Sequence, residues 1–287
     1  NSTVSRMPIN MVYDNIIADL TNAIDLLDDT DVTGERVLPN QSAANALLAR
    51  VYLYVENWEL AEITATKLID GFNLESDLTK VFLKDSPETF WQFKPRGVNS
   101  FDINAKEPTA FVIINASWHL YSLSNNFLTA FEPGDLRQAN WVGSFTDGTV
   151  TLYYPHKYKA HQFQTESLEY SIVFRLSEQY LIRSEARAHQ GDVVGSQNDL
   201  NAIRSRAGLG DTAAATMNDL LDAILQERRV ELFTEHGQRW FDLKRMGKAS
   251  EVLSPIKTNW KDTNVLLPIP ENELELNPNL SPQNDGY

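Results

Sequence analysis

The stretch "ERRVELFTEHGQRWFDLKRMG", residues 227–247, carries acidic and basic side chains at helical spacing. Glu227, Glu231 and Glu235 follow one another at intervals of four residues, so a single helix would place their carboxylates on one face. Retaining glycosidases use two carboxyl groups about 5–5.5 Å apart, which flank a sugar ring in an open cleft. One hypothesis for this stretch is therefore a hydrolytic site.

A second hypothesis is a structural network of ion pairs. The apolar stripe of the same predicted helix, Leu221, Ile224 and Leu225, leads directly into the charged residues. A charge on a core-facing stripe must be paired, and nearby arginines would lower the pKa values that a general acid needs. We favour the network, in which Arg228 and Glu231 are expected to meet on one helix face. Its predicted members are Arg228, Glu231, Glu235, Arg239, Asp242 and Arg245.

The elements that would hold this network are mostly helical. An apolar stripe that starts after Pro8 predicts a first helix with one buried face. A second helix is predicted in "QSAANALLARVYLYVEN", with Ser42 as its N-cap, and a third ends at Gly71. Thr216 is predicted to cap the helix that runs into the charged stretch.

An internal repeat relates two helical pairs. "LLARVYLYVENWELAEITATKLI" resembles "LIRSEARAHQGDVVGSQNDLNAI" at a shift of 135 positions. Ala49 then corresponds to Ser184, and Ala61 to Ser196. Small residues at both places would let paired helices approach closely, as in tetratricopeptide (TPR) repeats.

We predict a mainly α fold with three parts. TPR-like helical hairpins occupy residues 1–93, and further TPR-like helices with the charged stretch occupy residues 171–287, with helices resuming at about Ser171. Between them, residues 94–170 form a loop-rich, aromatic insert without sustained helical periodicity, in which "TVTLYY" predicts a short strand. The Pro-rich C-terminal tail is expected to be extended and to lie across the helices.

Composition excludes several classes of function. The net charge of −14 disfavours nucleic acid as a partner, because a phosphate backbone requires a basic surface. The chain has no cysteine, which excludes disulfides and thiolate chemistry. Residues 29–34 imitate the start of an EF-hand loop, but Asn40 stands where a bidentate Glu is needed. We therefore expect no metal and no cofactor.

Several segments, in order, resemble the SusD/RagB family of glycan-capturing lipoproteins in the outer membranes of Bacteroidetes. They include "VYDNIIADLTNAIDLL", "SPETFWQF", "FEPGDLR", "FRLSEQYLIRSEARAHQGD", the charged stretch itself and "LLPIPENELELNPNLSPQNDGY". The likeness covers almost the whole chain. It departs from the family in having no lipidated N-terminal cysteine and no further N-terminal helical section, so the chain is expected to be truncated or minimal.

The resemblance implies a non-catalytic protein on the extracellular face of the outer membrane, lipid-anchored through a cysteine that this chain lacks. It would hold an oligosaccharide or polysaccharide for a SusC-like, TonB-dependent transporter. Family members bind sugars mainly through variable insert loops, so the site is predicted from chemistry. Aromatic rings can stack on sugar faces, and polar side chains can bind hydroxyls. The candidates in the insert are Asn115, Trp118, Tyr121, Trp141, Tyr154 and Lys157.

Each candidate has an alternative role, because most Trp and Tyr side chains are at least partly buried in a core. Two alternative functions also remain open at this point. A TPR-type adaptor would bind protein segments in a groove and would have no affinity for sugars. An α-helical glycoside hydrolase would place two carboxylates on either side of a cleft.

Overall fold

The mainly α class is confirmed in a computed structural model, which describes residues 4–97, 103–117, 119–161 and 164–287. The helices are α1 (Ile9–Leu26), α2 (Gln41–Tyr54), α3 (Trp58–Gly71), α4 (Glu107–Phe111), α5 (Asn125–Leu128), α6 (Leu136–Trp141), α7 (Leu176–His189), α8 (Val193–Arg206), α9 (Met217–Glu231), α10 (Gln238–Arg245), α11 (Ala249–Leu253) and α12 (Glu271–Leu276). The strands are β1 (Thr89–Phe93), β2 (Val142–Thr146), β3 (Thr151–Pro155) and β4 (Ser171–Arg175). Short 3-10 turns lie at Asp262–Val265 and Pro278–Leu280.

Two helical hairpins, α2–α3 and α7–α8, stack through α3 and α7 to form the scaffold. Ala49 and Ala61 are fully buried where α2 meets α3. In the second hairpin, the Ser184 hydroxyl donates to the Ser196 carbonyl at 2.8 Å. Small residues therefore lie at the helix contacts where the internal repeat places them, and they permit close approach.

The helix caps follow local chemistry, with one correction. The Thr216 side chain accepts a hydrogen bond from the Asp219 amide, so the predicted cap of α9 is confirmed. The cap of α2 is Asn40, whose side chain accepts from the Ala43 amide, and not Ser42. Ser42 instead donates its hydroxyl to Asp29 at 2.6 Å, which ties α2 to the turn after α1.

The first helix is less buried than its apolar stripe predicts. None of the residues of α1 is buried, and Ile9 and Leu26 are 72% and 85% exposed. The helix packs mainly on α2, so only one side of it meets another element. The expectation of a buried face is therefore wrong for α1, because a single neighbouring helix leaves most of its surface in solvent.

The insert begins and ends in paired strands. β1 pairs antiparallel with β4, so Phe93 lies opposite Ser171. Helices therefore resume at Leu176 and not at Ser171. Within the insert, β2 and β3 form an antiparallel hairpin, and β3 occupies the stretch in which a strand is predicted.

The insert contributes to the main core as well as to the surface. Trp141 and Tyr158 pack in one hydrophobic cluster with Phe82, Val230 and Phe233 from the flanking segments. The Trp141 indole also donates to the Leu78 carbonyl at 2.8 Å. Large parts of the insert are thus fixed by the scaffold on which they pack.

The C-terminal tail includes the short α12 and contacts the N-terminal segment. Arg6 donates to the Pro282 carbonyl at 3.1 Å and to the Asn284 side chain at 2.8 Å. Asn277 donates to the Val4 carbonyl at 2.8 Å. In the described ranges, none of the helices combines the length and apolarity needed to cross a bilayer.

Candidate functional site

The charged stretch lies at the centre of a buried network, and Glu231 is one of its fully enclosed carboxylates. Glu231, at the end of α9, is fully buried and accepts hydrogen bonds from Arg206, from Arg175 at 2.7 Å and from Arg137 at 3.0 Å. Burial alone would raise the pKa of Glu231, but Arg206, Arg175 and Arg137 outweigh it. Its pKa is therefore held well below the ordinary value, and the carboxylate stays charged.

Glu235 shares one of these cations, Arg175, and adds Lys157. Its carboxylate accepts from Arg175 at 2.8 and 2.9 Å and from the Lys157 ammonium. Burial opposes ionisation here too, yet Arg175 and Lys157 lower the pKa of Glu235. Lys157 itself is fully enclosed, and burial lowers its pKa to about 8.

A second part of the network ties α9 to α10. Arg228 does not pair with Glu231, as the spacing suggests, but with Asp242 at 2.8 Å. Asp242 also accepts from Arg245, and Arg245 reaches the Glu185 carboxylate of α7 at 2.8 Å. Interhelical geometry therefore selects a partner 14 residues away over the neighbour three residues away.

This arrangement does not fit a glycosidase pair. A catalytic pair must face a substrate in an open cleft, whereas Glu227 and Glu231 are 2% and 0% exposed. Burial raises the pKa of Glu227, but its carboxylate is bound to Arg137 at 2.5 Å and has no accessible face for a sugar. The charged stretch stabilises contacts between helices.

Arg239 is the exception in the predicted network. Within the described part of the chain, its guanidinium makes no ion pair and no hydrogen bond, so its predicted place among the pairs is wrong. Burial and the positive charge of Arg229 lower the pKa of Arg239 to about 10. Its side chain lies instead on the wall of an open cavity.

The structure does not bring together the five predicted glycan-binding residues that it describes, Asn115, Tyr121, Trp141, Tyr154 and Lys157. Trp141 is fully buried beside Phe82, so its predicted stacking on a sugar is wrong in this conformation. Lys157 is also buried, and its ammonium donates to the carbonyls of Glu231 and Phe233. Both residues hold the insert on the scaffold.

Tyr154 belongs to the same buried side of the insert. Its ring packs directly on Gly143 of β2, where a Cβ atom would lie 2.3 Å from a ring carbon. Burial raises the pKa of Tyr154, consistent with its enclosed position. Trp118 lies outside the described residues.

Asn115 and Tyr121 lie on an exposed segment between α4 and α5. The Asn115 side chain accepts from the Ser117 amide at 2.8 Å and fixes a turn. Tyr121 is 59% exposed, and its ring contacts Phe111 with centroids 6.1 Å apart. The segment is tied to β3 by the Leu123 amide, which donates to the Tyr153 carbonyl at 2.7 Å. It therefore presents an aromatic surface on a fixed base.

The turn that imitates a calcium loop has internal partners for its oxygens. Asp31 accepts from the amides of Thr33, Gly34 and Arg36. Asp29 accepts from Ser42. In the part of the chain that the structure describes, no group of His, Asp and Glu side chains has the arrangement of a metal site.

Sequence reasoning missed the distant arginines of the network and the tryptophan of the cavity. Arg137, Arg175 and Arg206 come from the insert, β4 and α8, so spacing within the charged stretch could not reveal them. Trp260 stands in "KTNWKDTN", which has the same mixture of aromatic and polar residues that pointed to the insert. That mixture was a usable signal outside the insert as well.

The fold is that of solved SusD superfamily structures. One, a SusD superfamily protein from Bacteroides vulgatus, superposes with a TM-score of 0.84 at 21% identity, covering 100% of this chain and 71% of that one. Surface glycan-binding protein A from Bacteroides uniformis gives a TM-score of 0.76 at 22% identity, covering 96% of this chain and 68% of that one. At these identities the likeness shows the fold.

Sequence comparison identifies the family. The sequence model described as "SusD family" matches residues 137–287, just over half of the chain, and one described as "Starch-binding associating with outer membrane" matches residues 1–53. The chain belongs to the SusD family. SusD-like protein P2 of Formosa agariphila is 28% identical, and the match covers 99% of this chain and 66% of that protein. The chain thus spans about two thirds of that relative's length.

Proposed function

We propose that this protein is a non-catalytic glycan-binding protein that captures oligosaccharides at the outer membrane. Membership of the SusD family supports this, as does the association with starch and the outer membrane in the name of the family model that matches its N-terminal residues. A structural relative is itself named a surface glycan-binding protein.

The observation that carries the proposal is the mostly exposed part of the insert at residues 114–117 and 119–122, which includes Tyr121. Tyr121 stands 59% exposed on a segment that is anchored to β3. An exposed ring on a fixed base can stack on the C–H face of a sugar with little loss of conformational freedom. Asn115 is exposed on the same segment and offers an amide to hydroxyl groups.

A binding assay with matched variants tests this site. We expect Tyr121→Ala and Trp118→Ala each to weaken oligosaccharide binding about tenfold or more, since loss of a stacked ring removes a principal contact. Tyr13→Ala, a half-buried tyrosine of α1, is the matched control and should bind as wild type does. Unchanged affinity in both insert variants, with intact circular dichroism spectra, would remove the segment as the site.

An assay for glycoside hydrolysis tests the proposal that the protein is not a catalyst. Glu227, Glu231 and Glu235 are engaged with Arg and Lys side chains, so we expect no product from chromogenic or natural glycosides. The same incubation should show binding by calorimetry. Release of a reducing sugar that is lost on Glu235→Gln would favour the glycoside hydrolase instead.

The proposed partner is a SusC-like, TonB-dependent transporter that accepts the captured glycan. This step follows from the family and not from a surface of the chain. Purification of the full-length protein from its native membrane under mild detergent should recover a β-barrel protein with it. Repeated recovery without one would contradict the partnership while leaving glycan binding untouched.

A further inference from the structure

A second candidate binding site lies next to the buried network, beside the part of the charged stretch that follows Glu231. It is an open cavity of about 800 Å³ between α10, the turn after α9 and the segment that follows α11. Trp240 and Trp260 form an aromatic corner in its wall, with ring centroids 6.2 Å apart and planes at 78°. This is the size range in which proteins bind small molecules.

Trp260 is held in place by a hydrogen bond, and Trp240 lies beside a cation. Trp260 donates its indole N–H to the Ser250 hydroxyl at 3.1 Å, and Ser250 in turn donates to Asp262 at 2.7 Å. The Lys244 ammonium lies 5.6 Å from the centre of the Trp240 ring. Two rings set at 78° to each other offer one face for stacking on a sugar ring and one edge that limits its position.

The charged groups on the cavity wall are predominantly positive, although the chain as a whole carries a net charge of −14. The basic residues are Arg239 and Lys257. The acidic residue on the wall is Glu235, whose charge is already compensated by Arg175 and Lys157. The cavity thus has a local positive charge that no carboxylate of its own wall neutralises.

Three polar side chains on the cavity wall have no partner among the residues that the structure describes. In residues 4–97, 103–117, 119–161 and 164–287, the side chains of Arg239, Lys257 and Asn259 make no hydrogen bond or ion pair. Elsewhere in this molecule the buried arginines are bound to carboxylates, as Arg228 is to Asp242. A half-buried guanidinium without a partner is costly for folding, and an anion in the cavity would remove that cost.

We propose that this cavity binds an anionic sugar unit, one that bears a carboxylate or a sulfate group, with the ring against Trp240 and Trp260 and the acidic group on Arg239. The inference rests on the proposed glycan-binding function and adds a chemical class of ligand. Arg239 offers the planar, two-pronged donor geometry that suits carboxylate and sulfate oxygens. Lys257 and Asn259 supply further donors at the rim.

A glycan array provides the first test. It should carry neutral oligosaccharides beside matched forms that are oxidised at C6 to uronates or sulfated at C6. We expect wild type to retain anionic members more strongly than their neutral counterparts. Retention of uronates alone, of sulfates alone or of both identifies which acidic group Arg239 binds.

Variants then locate the preference on the strongest anionic ligand, measured by calorimetry in low salt. Arg239→Gln should weaken binding about tenfold or more and bring it to the level of the neutral counterpart, because a hydrogen bond to a charged group is lost. Trp260→Ala should weaken the binding of both the anionic ligand and its neutral counterpart. Arg96→Gln makes the same substitution at an exposed arginine outside the cavity. It should leave the affinity for both ligands unchanged.

The possible failures are distinguishable. Equal retention of anionic and neutral glycans, or an Arg239→Gln variant that keeps the full anionic preference, overturns this inference and leaves the proposed function standing. Retention of no glycan of any class overturns both. Circular dichroism and thermal unfolding of each variant separate loss of a contact from loss of fold.

Discussion

Two ends of the same charged stretch behave in opposite ways. At Glu227–Glu235 every carboxylate is bound to cations from the insert, β4 or α8, and Glu227 and Glu231 are buried. Only a few residues later, Arg239 and Trp240 face an open cavity, and Arg239 has no ion-pair partner within the described ranges. Residue type is therefore a poor guide to role here. What decides the role is whether the fold brings a complementary group to the side chain.

The largest expected effect comes from the enclosed end. Glu231→Gln leaves Arg137, Arg175 and Arg206 without their shared anion, and breaking a buried pair costs about 3–5 kcal/mol of unfolding free energy. Denaturant unfolding of wild type and variant measures it. Glu251→Gln, in an exposed pair with Lys248, is the control and should change stability by less than about 1 kcal/mol. Equal losses of unfolding free energy in the two variants would contradict the stabilising role assigned to the enclosed carboxylate.

The same contrast recurs within the insert, between Trp141 and Tyr121. Trp141→Ala should destabilise the protein by about 3–5 kcal/mol, because it opens a cavity in the core beside Phe82. Tyr121→Ala should change stability by about 0.5 kcal/mol or less, since that ring is mostly in solvent. Thermal and denaturant unfolding separate these outcomes. A strongly destabilised Tyr121 variant would show that the segment is structural.

A fall in pH should reduce the contribution that the paired carboxylates of the charged stretch make to stability. The pKa values of Glu231, Glu235 and Asp242 are lowered in the folded protein, so the unfolded chain takes up protons first as pH falls. Their stabilising contribution is present above the ordinary carboxyl pKa and is lost as pH drops below about 4.5 towards the folded values. Burial raises the pKa of Glu227, which acts in the opposite direction.

This pH dependence is best measured as a difference. The unfolding free energy of wild type and Glu231→Gln should be compared between pH 6 and pH 3. We expect the two curves to converge on acidification, because the variant lacks one of the titrating groups that stabilise the fold. Parallel curves would show that Glu231 has similar pKa values in both states.

The smallest expected change in stability lies at the open end. Arg239→Gln removes a half-buried charge that has no partner in the described ranges, so we expect the unfolding free energy to stay level or to rise by about 0.5 kcal/mol. Chemical denaturation under the conditions used for Glu231→Gln gives a direct comparison. A loss comparable to that of Glu231→Gln would mean that Arg239 is part of the structural network after all.

The sequence was informative where the determinants are local. The positions of the long helices, the Thr216 cap and the small residues Ala49 and Ser184 depend on neighbours within a few turns, and the structure agrees with each. The buried face of α1 and the Ser42 cap are the exceptions. Partner choice across the fold was beyond such reasoning. Nothing in the spacing of the charged stretch indicates that Arg175 of β4 would reach Glu231, or that Arg228 would bind Asp242.

The sequence also does not predict which aromatic side chains are buried. Trp141 and Tyr121 occur in similar polar and aromatic surroundings in the sequence, yet one is in the core and the other is exposed. The difference arises because α6 and β2 place Trp141 against Phe82 and Leu78, which are distant in the chain. Composition predicts that an insert is rich in ring systems but not which of them face solvent.

The pairing of β1 with β4 has an implication for how specificity can diversify. Antiparallel partners hold the two ends of the insert about 5 Å apart, whatever lies between them. Closing a loop that is twice as long costs only about 0.6 kcal/mol more. The mostly exposed stretch at residues 114–117 and 119–122 can therefore be lengthened or exchanged, while Trp141, Lys157 and Tyr158 must be kept because they anchor the insert on the scaffold. A library of variants that changes only the exposed residues would vary ligand recognition without destabilising the scaffold.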